Sequence, residues 1–379
     1  MTDNADQRWM ARALELTARG RYTTRPNPAV GCVIVRDGKV VGEGWHMRAG
    51  EPHAEVHALT AAGEAARGAT VYLTLEPCSH HGRTPPCAEA LVAAGVARVV
   101  VAMGDPNPQV AGDGIRRLRN AGIEVVEDAD VAAAEAINPG FLSRIRRGRP
   151  WVRLKSAMSL DGRTAMASGE SRWVTGETAR QDVHDLRARS AAVLTGSGTV
   201  QVDDPSLNVR LPGGVEAADG NTLPWPQPLR VVLDSRLQMP PQARMLGLDG
   251  DTLIVSAVDD AARREALEAA GAEVAVAGGG EHVDLLAAMK LLGEREINEV
   301  LVEAGPRLGG ALLAAGLVDE LIIYMAPHLM GHAARELFSL PGLERMEQRL
   351  PVDILDIQPV GQDWRITARP GFEKQKHEP

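Results

Sequence analysis

The sequence predicts two α/β domains, joined near residue 149. Three observations lead there. The chain has 379 residues, long for one domain and comfortable for two at about 150 residues each. Strand-like apolar runs alternate with helix-length segments through both halves, the pattern of helices layered on sheets. Between the halves lies Arg144-Ile-Arg-Arg-Gly-Arg-Pro150, where the proline disfavours helix at the residue before it and the basic run reads as a solvated connector.

In the first half, residues 29–35 and 40–45 are apolar runs joined by Arg36-Asp-Gly-Lys39, an Asp-Gly hairpin turn. A helix from about residue 53, a strand at 70–75, a helix after Pro86 and a strand at 98–102 come next. Helix 114–120, strand 123–126 and helix 131–137, stopped at Pro139, complete a mixed sheet covered by helices. The second half opens with strand 151–158. It continues with strands 229–234 and 252–256, helix 261–270, strand 273–277, helix 284–293, strand 299–302, helix 307–315 and strand 321–326. Strands separated by helices of this length favour a largely parallel sheet. Residues 211–228, rich in Gly and Pro, are expected to form a surface loop, and the charged tail 369–379 to be mobile.

Hydrophobic residues make up 44% and charged residues 24%, which excludes a collagen-like or wholly disordered chain. Aromatics are only 3%, so the cores must be built from Ala, Val and Leu. No apolar run approaches the ~20 residues of a membrane-spanning helix, and the polar, acidic start does not read as a signal peptide. Three cysteines cannot make a disulfide framework, so a reducing, cytoplasmic compartment is expected. The net charge is −9, with 18 Lys/Arg against 17 Asp/Glu in residues 1–150 and 23 against 33 in the remainder. Neither half offers the basic surface that nucleic acid requires. A small-molecule substrate is expected, with neither nucleic acid nor membrane as partner.

His53-Ala-Glu55 is followed by Pro77-Cys78 and, nine residues on, by Cys87. One imidazole and two thiolates suit Zn²⁺ and leave a fourth tetrahedral position for water. A closed structural site needs a fourth protein ligand, for which His80, His81 or Cys32 is at hand. His53 and Glu55 lie about 200° apart on a regular helix, so they converge only if His53 stands at the helix entrance, where Pro52 fits. Cys87, after Pro85-Pro86, begins the next helix, whose amides stabilise a thiolate. Glu55, beside the metal without ligating it, is placed to move protons; taken alone it reads as an exposed first-turn carboxylate. Cys32, in a strand, reads as a small buried hydrophobe.

These residues resemble the zinc-dependent nucleoside and nucleotide deaminases, whose signature is His-x-Glu followed by Pro-Cys-x-x-Cys. Here eight residues separate the cysteines, and Pro77-Cys-Ser-His-His-Gly-Arg-Thr-Pro-Pro-Cys87 is the form found in the pyrimidine deaminase of riboflavin biosynthesis. Arg25-Pro-Asn-Pro-Ala-Val-Gly-Cys32 and Gly44-Trp-His46 are similar to that enzyme as well. By this resemblance zinc is held by His53, Cys78 and Cys87 and Glu55 is catalytic, while Asn27 and His46 contact the pyrimidine. His80 and His81 shape the substrate pocket.

In the second half, Gly305 and Gly309-Gly310 beside a helix start, and Thr195-Gly-Ser-Gly-Thr199 after a strand, allow backbone to approach a phosphate. There is no Gly-x-Gly-x-x-Gly, so a Rossmann dinucleotide site is unsupported. Leu154–Gly162, Ser171–Thr175, Leu194–Thr199, Val202–Arg210 and Val302–Gly310 occur in the order seen in the riboflavin-pathway reductases, relatives of dihydrofolate reductase that use NADPH. The resemblance to the bifunctional deaminase/reductase runs from about residue 9 to 340. It implies a cytidine-deaminase-like mixed-sheet domain over 1–149 and a dihydrofolate-reductase-like α/β domain over 150–368.

The implied chemistry has two steps. Zinc makes a water nucleophilic near neutral pH, a diaminopyrimidinone bearing a ribosylamino 5′-phosphate loses ammonia, and Glu55 delivers the proton. NADPH then reduces the ribosyl group to ribityl. Ala157, Trp173, Thr199, Asp203, Ser235, Gly305, Pro306, Arg307, Leu308, Gly309, Gly310 and Ala311 match cofactor positions. Lys155, Ser171, Arg187, Leu207, Arg210 and Glu303 match substrate positions, with Arg187 and Arg210 suited to the phosphate. Lys155 acts as a charge or proton donor, or is a lysine at the sheet edge. Asp161 reads as a turn residue and Arg236 as a partner of the NADPH 2′-phosphate. A homo-oligomer, taken as a dimer, is expected. Two other readings are a nucleic-acid-editing deaminase with an accessory domain and a binding protein with structural zinc. Ammonia release from the pyrimidine phosphate, compared with release from tRNA or single-stranded DNA, separates all three.

Overall fold

The computed structural model describes residues 4–79, 86–107, 111–217 and 220–371. They form two compact units, one comprising Met1–Gly148 with Val215–Pro224, the other Arg149–Gly214 with Trp225–Pro379.

The first unit runs α1 (Asn4–Gly20), β1 (Gly31–Arg36), β2 (Lys39–Trp45), α2 (Ala54–Ala62), β3 (Thr70–Leu73), α3 (Cys87–Ala94), β4 (Arg98–Val101), α4 (Asp113–Asn120), β5 (Glu124–Val126), α5 (Val131–Ile137) and α6 (Pro139–Arg147). Its sheet order is β2-β1-β3-β4-β5. β1 is antiparallel to both neighbours, while β3, β4 and β5 are parallel, a mixed sheet as expected. Asp37 and Gly38 both take positive φ, the two-residue turn that matches strand twist. Alternation along β1 buries Cys32 and Ile34 against Ala54, Ala58 and Leu91 on one face, and Val33 and Val35 against Met10 and Leu16 on the other.

The sequence reading has no counterpart of α1. Met10, Ala13 and Leu16 recur at helical spacing and bury that face, and Asp6 accepts hydrogen bonds from Tyr72 and Arg98. The basic run is not a free connector either. Pro139 ends α5 and starts α6, a position where its missing N–H costs nothing. Arg144 and Arg146 lie in the last turn of α6, where Arg146 pairs with Glu135, and Arg149 makes a two-pronged bond to Asp319 in the second unit.

The second unit has nine strands in one sheet. It contains β6 (Trp151–Ser159), β7 (Arg163–Ala165), α7 (Glu177–Arg189), β8 (Ala192–Gly196) and α8 (Ser197–Asp203). The hairpin β9 (Val215–Glu216) and β10 (Thr222–Leu223) interrupts it and belongs to the first unit. Then come β11 (Leu229–Leu233), β12 (Thr252–Ser256), α9 (Ala261–Ala269), β13 (Glu273–Val276), α10 (Leu285–Glu294), β14 (Glu299–Glu303), α11 (Pro306–Ala314), β15 (Glu320–Ala326), β16 (Arg335–Glu336), β17 (Val352–Val360) and β18 (Asp363–Pro370). The sheet order is β13-β12-β11-β8-β14-β6-β15-β18-β17, parallel from β13 to β15 and antiparallel at β18 and β17. Val152, Leu194, Val231 and Val302 face α10 and α11. Val193, Val232, Leu301 and Tyr324 face Ala179, Val183 and Leu186 of α7.

Two expectations are corrected. Residues 211–228 are not all loop, because β9 and β10 pair within them. Nor does a mobile tail begin at 369: Arg369 and Pro370 are the last residues of β18, opposite Asp353 and Val352, and Pro370 ends the strand where its missing N–H is tolerated. Residues 372–379 lie outside the described residues.

Candidate functional sites

Each unit carries one cluster. In the first, His53 has extended backbone and caps the N-terminus of α2, the entrance position its spacing to Glu55 requires. Cys78 follows β3 through a short extended stretch, and Cys87 is the first residue of α3. The His53 Nδ1 lies 3.6 Å from the Cys78 Sγ and 3.3 Å from the Cys87 Sγ, and the Cys87 N–H donates to the Cys78 Sγ over 3.3 Å. All three ligand atoms fall within 4.8 Å of one another. The Cys87 hydrogen bond, with His53 alongside, pulls the Cys78 thiol down to about 4, and the same contact pushes Cys87 up. One imidazole and two thiols, His53 and Cys87 at helix starts, converging on one point, fit Zn²⁺. Cys32 is buried on β1 and does not join the group; His80 and His81 lie outside the described residues.

Glu55 is only 3% exposed, so it is not a solvated first-turn carboxylate. Burial raises its pKa, and it interacts with the Cys87 thiol. His46 stands edge-on to His53 with ring centroids 5.1 Å apart. Its Nε2 is 3.2 Å from the Asn27 Nδ2 and its Nδ1 3.3 Å from the Pro52 carbonyl. Burial brings His46 down to about 4, so the neutral ring donates from Nδ1 and accepts at Nε2. Sequence reasoning missed Asn138: its amide accepts from the Ala29 N–H and donates to the Ala29 carbonyl, both at 2.9 Å. That bracket holds the strand entry two residues from Asn27.

In the second unit, Lys155 on β6 sits in register with Glu303 on β14. Arg187 on α7 grips Glu303 with Nε–Oε1 at 2.6 Å and Nη2–Oε2 at 3.0 Å, and its Nη1 donates to the Asn208 carbonyl. Burial raises the Glu303 carboxyl, but Arg187 and Lys155 outweigh it and hold the group at about 2. Burial lowers Lys155, which is therefore no edge lysine. His184, one turn before Arg187, is a second residue sequence reasoning missed. Its Nδ1 accepts from the Arg210 N–H over 3.3 Å, and burial, with Arg187 and Arg210 nearby, brings it to about 4. Leu207, at φ +50°, is buried in the same segment. Lys155, His184, Arg187, Arg210 and Glu303 thus form one group. Asp161 accepts from the Met330 and Gly331 N–H groups, pinning that loop.

Most of the sequence-predicted cofactor residues stand at the carboxyl ends of neighbouring parallel strands of this unit. Thr199 and Asp203 follow β8, Ser235 follows β11, and Gly305 to Leu308 follow β14. Ligands of open α/β sheets bind at such ends. Trp173 is 68% exposed, with the Arg180 guanidinium 4.6 Å from its ring, and Arg172 donates to the Asp203 carbonyl at 2.8 Å. That bond joins the segment of Ser171 and Trp173 to α8. Ala157 lies on β6, and the Ser235 Oγ accepts from the Val283 N–H. Gly309 and Gly310 also serve packing. A Cβ on Gly310 would lie 1.9 Å from the Ser339 carbonyl oxygen, and one on Gly309 3.3 Å from Phe338. Their missing side chains let α11 pack on 338–339, while Ala311 follows them on α11 and Gly305 is left as the exposed N-cap.

The family model described as "RibD C-terminal domain" matches residues 150–366, and that of the "Cytidine and deoxycytidylate deaminase zinc-binding region" matches residues 3–103. The riboflavin biosynthesis protein RibD of Escherichia coli is 54% identical over 363 residues, covering 94% of this chain and 97% of that one. The chain belongs to the RibD family. The RibD of Haemophilus influenzae is 48% identical over 96% of both chains. A solved RibD of Acinetobacter baumannii superposes with a TM-score of 0.88 at 47% identity, covering 97% of this chain and 99% of that one. A Thermotoga maritima structure titled diaminohydroxyphosphoribosylaminopyrimidine deaminase/5-amino-6-(5-phosphoribosylamino)uracil reductase does so with 0.83 at 31%, with the same coverages. As a RibD chain, this is a bifunctional enzyme of riboflavin biosynthesis, a zinc-dependent deaminase and an NADPH-dependent reductase. Full-length RibD relatives favour neither the nucleic-acid-editing reading nor the non-catalytic one. Among the described residues no helix is long and apolar enough to cross a membrane.

Proposed function

We propose that the first unit deaminates the pyrimidine ribose phosphate and the second reduces its sugar, with the residues divided as follows. His53, Cys78 and Cys87 hold zinc, which supplies the Lewis acidity that makes a water nucleophilic near pH 7. Glu55, buried against Cys87, takes the water's proton at its carboxylate and returns it to the departing amine. Asn27 and His46 orient the pyrimidine; the neutral His46 imidazole keeps a fixed donor and acceptor pattern through its contacts to Pro52 and Asn27.

In the second unit Thr199, Asp203, Ser235 and Gly305 to Leu308, after the carboxyl ends of β8, β11 and β14, would together with Trp173 hold NADPH, which would supply the hydride. Lys155 and Glu303 face the reacting sugar. Arg210, Ser171 and the backbone at Leu207 take the substrate side, with Arg210 toward the phosphate. Three of the N–H groups of Arg187 are engaged by Glu303 and Asn208, so its first task is to hold those two in place. The protein's share is alignment and charge. The domain division runs between Gly148 and Arg149, with 215–224 returning to the first unit. The chain works as a homo-dimer in the cytoplasm. Supporting the dimer, the edge strand β17 exposes Ile354, Leu355 and Ile357; supporting the compartment, all three cysteines are free.

The observation that carries this assignment is the convergence of His53, Cys78 and Cys87 beside a buried Glu55. In the full chain, Glu55→Gln is expected to keep one zinc, lower ammonia release by about two to four orders of magnitude, and leave NADPH oxidation on the deaminated substrate unchanged. Undiminished deamination would overturn it.

A further inference from the structure

Glu76 directly precedes Pro77-Cys78 and is 5% exposed. Its four partners are main-chain N–H groups. Oε1 accepts from Gly114 at 3.0 Å and Ile115 at 3.3 Å, and Oε2 from Gly112 at 3.0 Å and Asp105 at 3.2 Å. Gly114 and Ile115 are in the first turn of α4, so the carboxylate occupies the positive end of that helix. The neighbouring backbone is fitted as closely. A Cβ on Gly114 would lie 2.0 Å from the Pro77 carbonyl oxygen, so α4 tolerates only glycine where that peptide rests on it. The Glu76 N–H donates to the Met103 carbonyl. Two residues later the restraints change partner: the Cys78 carbonyl accepts from the Ala88 N–H, and its Sγ from the Cys87 N–H.

We propose that Glu76 is a positioning residue of the metal centre: by binding the start of α4 it fixes the backbone that presents Cys78 to His53 and Cys87. The inference rests on those three residues being the zinc ligands. After β3 the Thr74 and Glu76 N–H groups still bond the Gly31 and Met103 carbonyls, but Pro77 and Cys78 lie beyond the sheet ladder. The carboxylate supplies four charge-assisted hydrogen bonds in its place, and the start of α3 holds the sulfur from the other side. Removing the charge leaves Cys78 its identity and takes away its aim. Outer-shell partners of metal ligands characteristically change metal affinity by about 10–100-fold when substituted.

The experiment compares the full-length wild type, Glu76→Gln, Glu76→Asp and Cys87→Ala. Zinc affinity and release are read by competition with a chromophoric chelator, and site geometry by the visible absorption of the Co²⁺-loaded proteins. Glu76→Gln removes the charge and turns an amide NH₂ toward two of the four N–H donors, and is expected to bind zinc about 10–100-fold more weakly with altered Co²⁺ bands, while NADPH binding stays unchanged. Glu76→Asp keeps the charge and is expected to recover part of the affinity. A folded Glu76→Gln with wild-type affinity and Co²⁺ bands would overturn the proposal. If Glu76→Gln fails to fold, Glu76→Asp decides, because wild-type zinc release from it would count equally against the role. Stoichiometric tight zinc in Cys87→Ala would instead overturn the ligand set, so the two failures are distinguishable.

Discussion

Replacing Glu303 by Gln removes the one negative charge between two buried cations while keeping the side chain's shape. The pair to Arg187 is two-pronged, with the two side chains 11% and 13% exposed, and Lys155 lies across the ladder. The carboxyl is held at about 2 against an ordinary 4.5. At ~1.4 kcal/mol per tenfold change in acidity, that gap makes the ionised form worth about 3 kcal/mol to folding at neutral pH. Breaking a buried pair by neutralising one partner costs about 3–5 kcal/mol, in the same range. Because the folded pKa is depressed, this stability is fully present above about pH 4.5 and is lost as pH falls through about 2. Glu303→Gln is therefore expected to lower the unfolding temperature of the second unit by about 6–12 °C at pH 7, at ~2–4 °C per kcal/mol for a domain of this size. It should abolish reductase turnover and leave ammonia release intact. Calorimetry at pH 7, 5 and 3 checks this, with NADPH added to mark which transition belongs to the second unit. The difference from wild type should hold at pH 5 and shrink to less than half by pH 3. An unfolding temperature within about 1 °C of wild type at pH 7, or a gap that does not shrink at pH 3, refutes the reasoning.

Two other substitutions probe the first unit. Cys87→Ala should lose stoichiometric zinc by elemental analysis and lose ammonia release, with NADPH-dependent reduction of the deaminated substrate retained. Asn138→Asp keeps the acceptor for the Ala29 N–H but loses the donor to the Ala29 carbonyl. A net loss of ~0.5–1.5 kcal/mol per hydrogen bond should raise the deaminase KM about 2–12-fold with kcat nearly unchanged, as expected if Asn138 acts only by setting Asn27. A fall in kcat at constant KM speaks against that role.

The metal centre was legible in the sequence because its chemistry is local. His53 and Glu55 share a helix start, and Cys78 and Cys87 lie nine residues apart, so residue type and spacing nearly define the geometry. The alternation of strands and helices was legible for the same reason, since period and turn chemistry act over a few residues. The hairpin β17–β18 was not. Residues 352–360 mix exposed apolar and acidic side chains and contain Pro359, and their pairing depends on an edge that exists only once β15 is in place. Long-range partners were equally hidden. Asn138 meets Ala29 across 109 residues and Arg187 meets Glu303 across 116, separations at which no local pattern reports contact. Tertiary packing also gave Gly310 a task that the sequence does not show. From the sequence it offers an approach to phosphate, and in the fold the Ser339 carbonyl fills the space its side chain would need. Local propensity thus set ligand type and element order, whereas the mutual hold of distant side chains, which fixes Glu76, His184 and Glu303, arose only when the chain closed on itself.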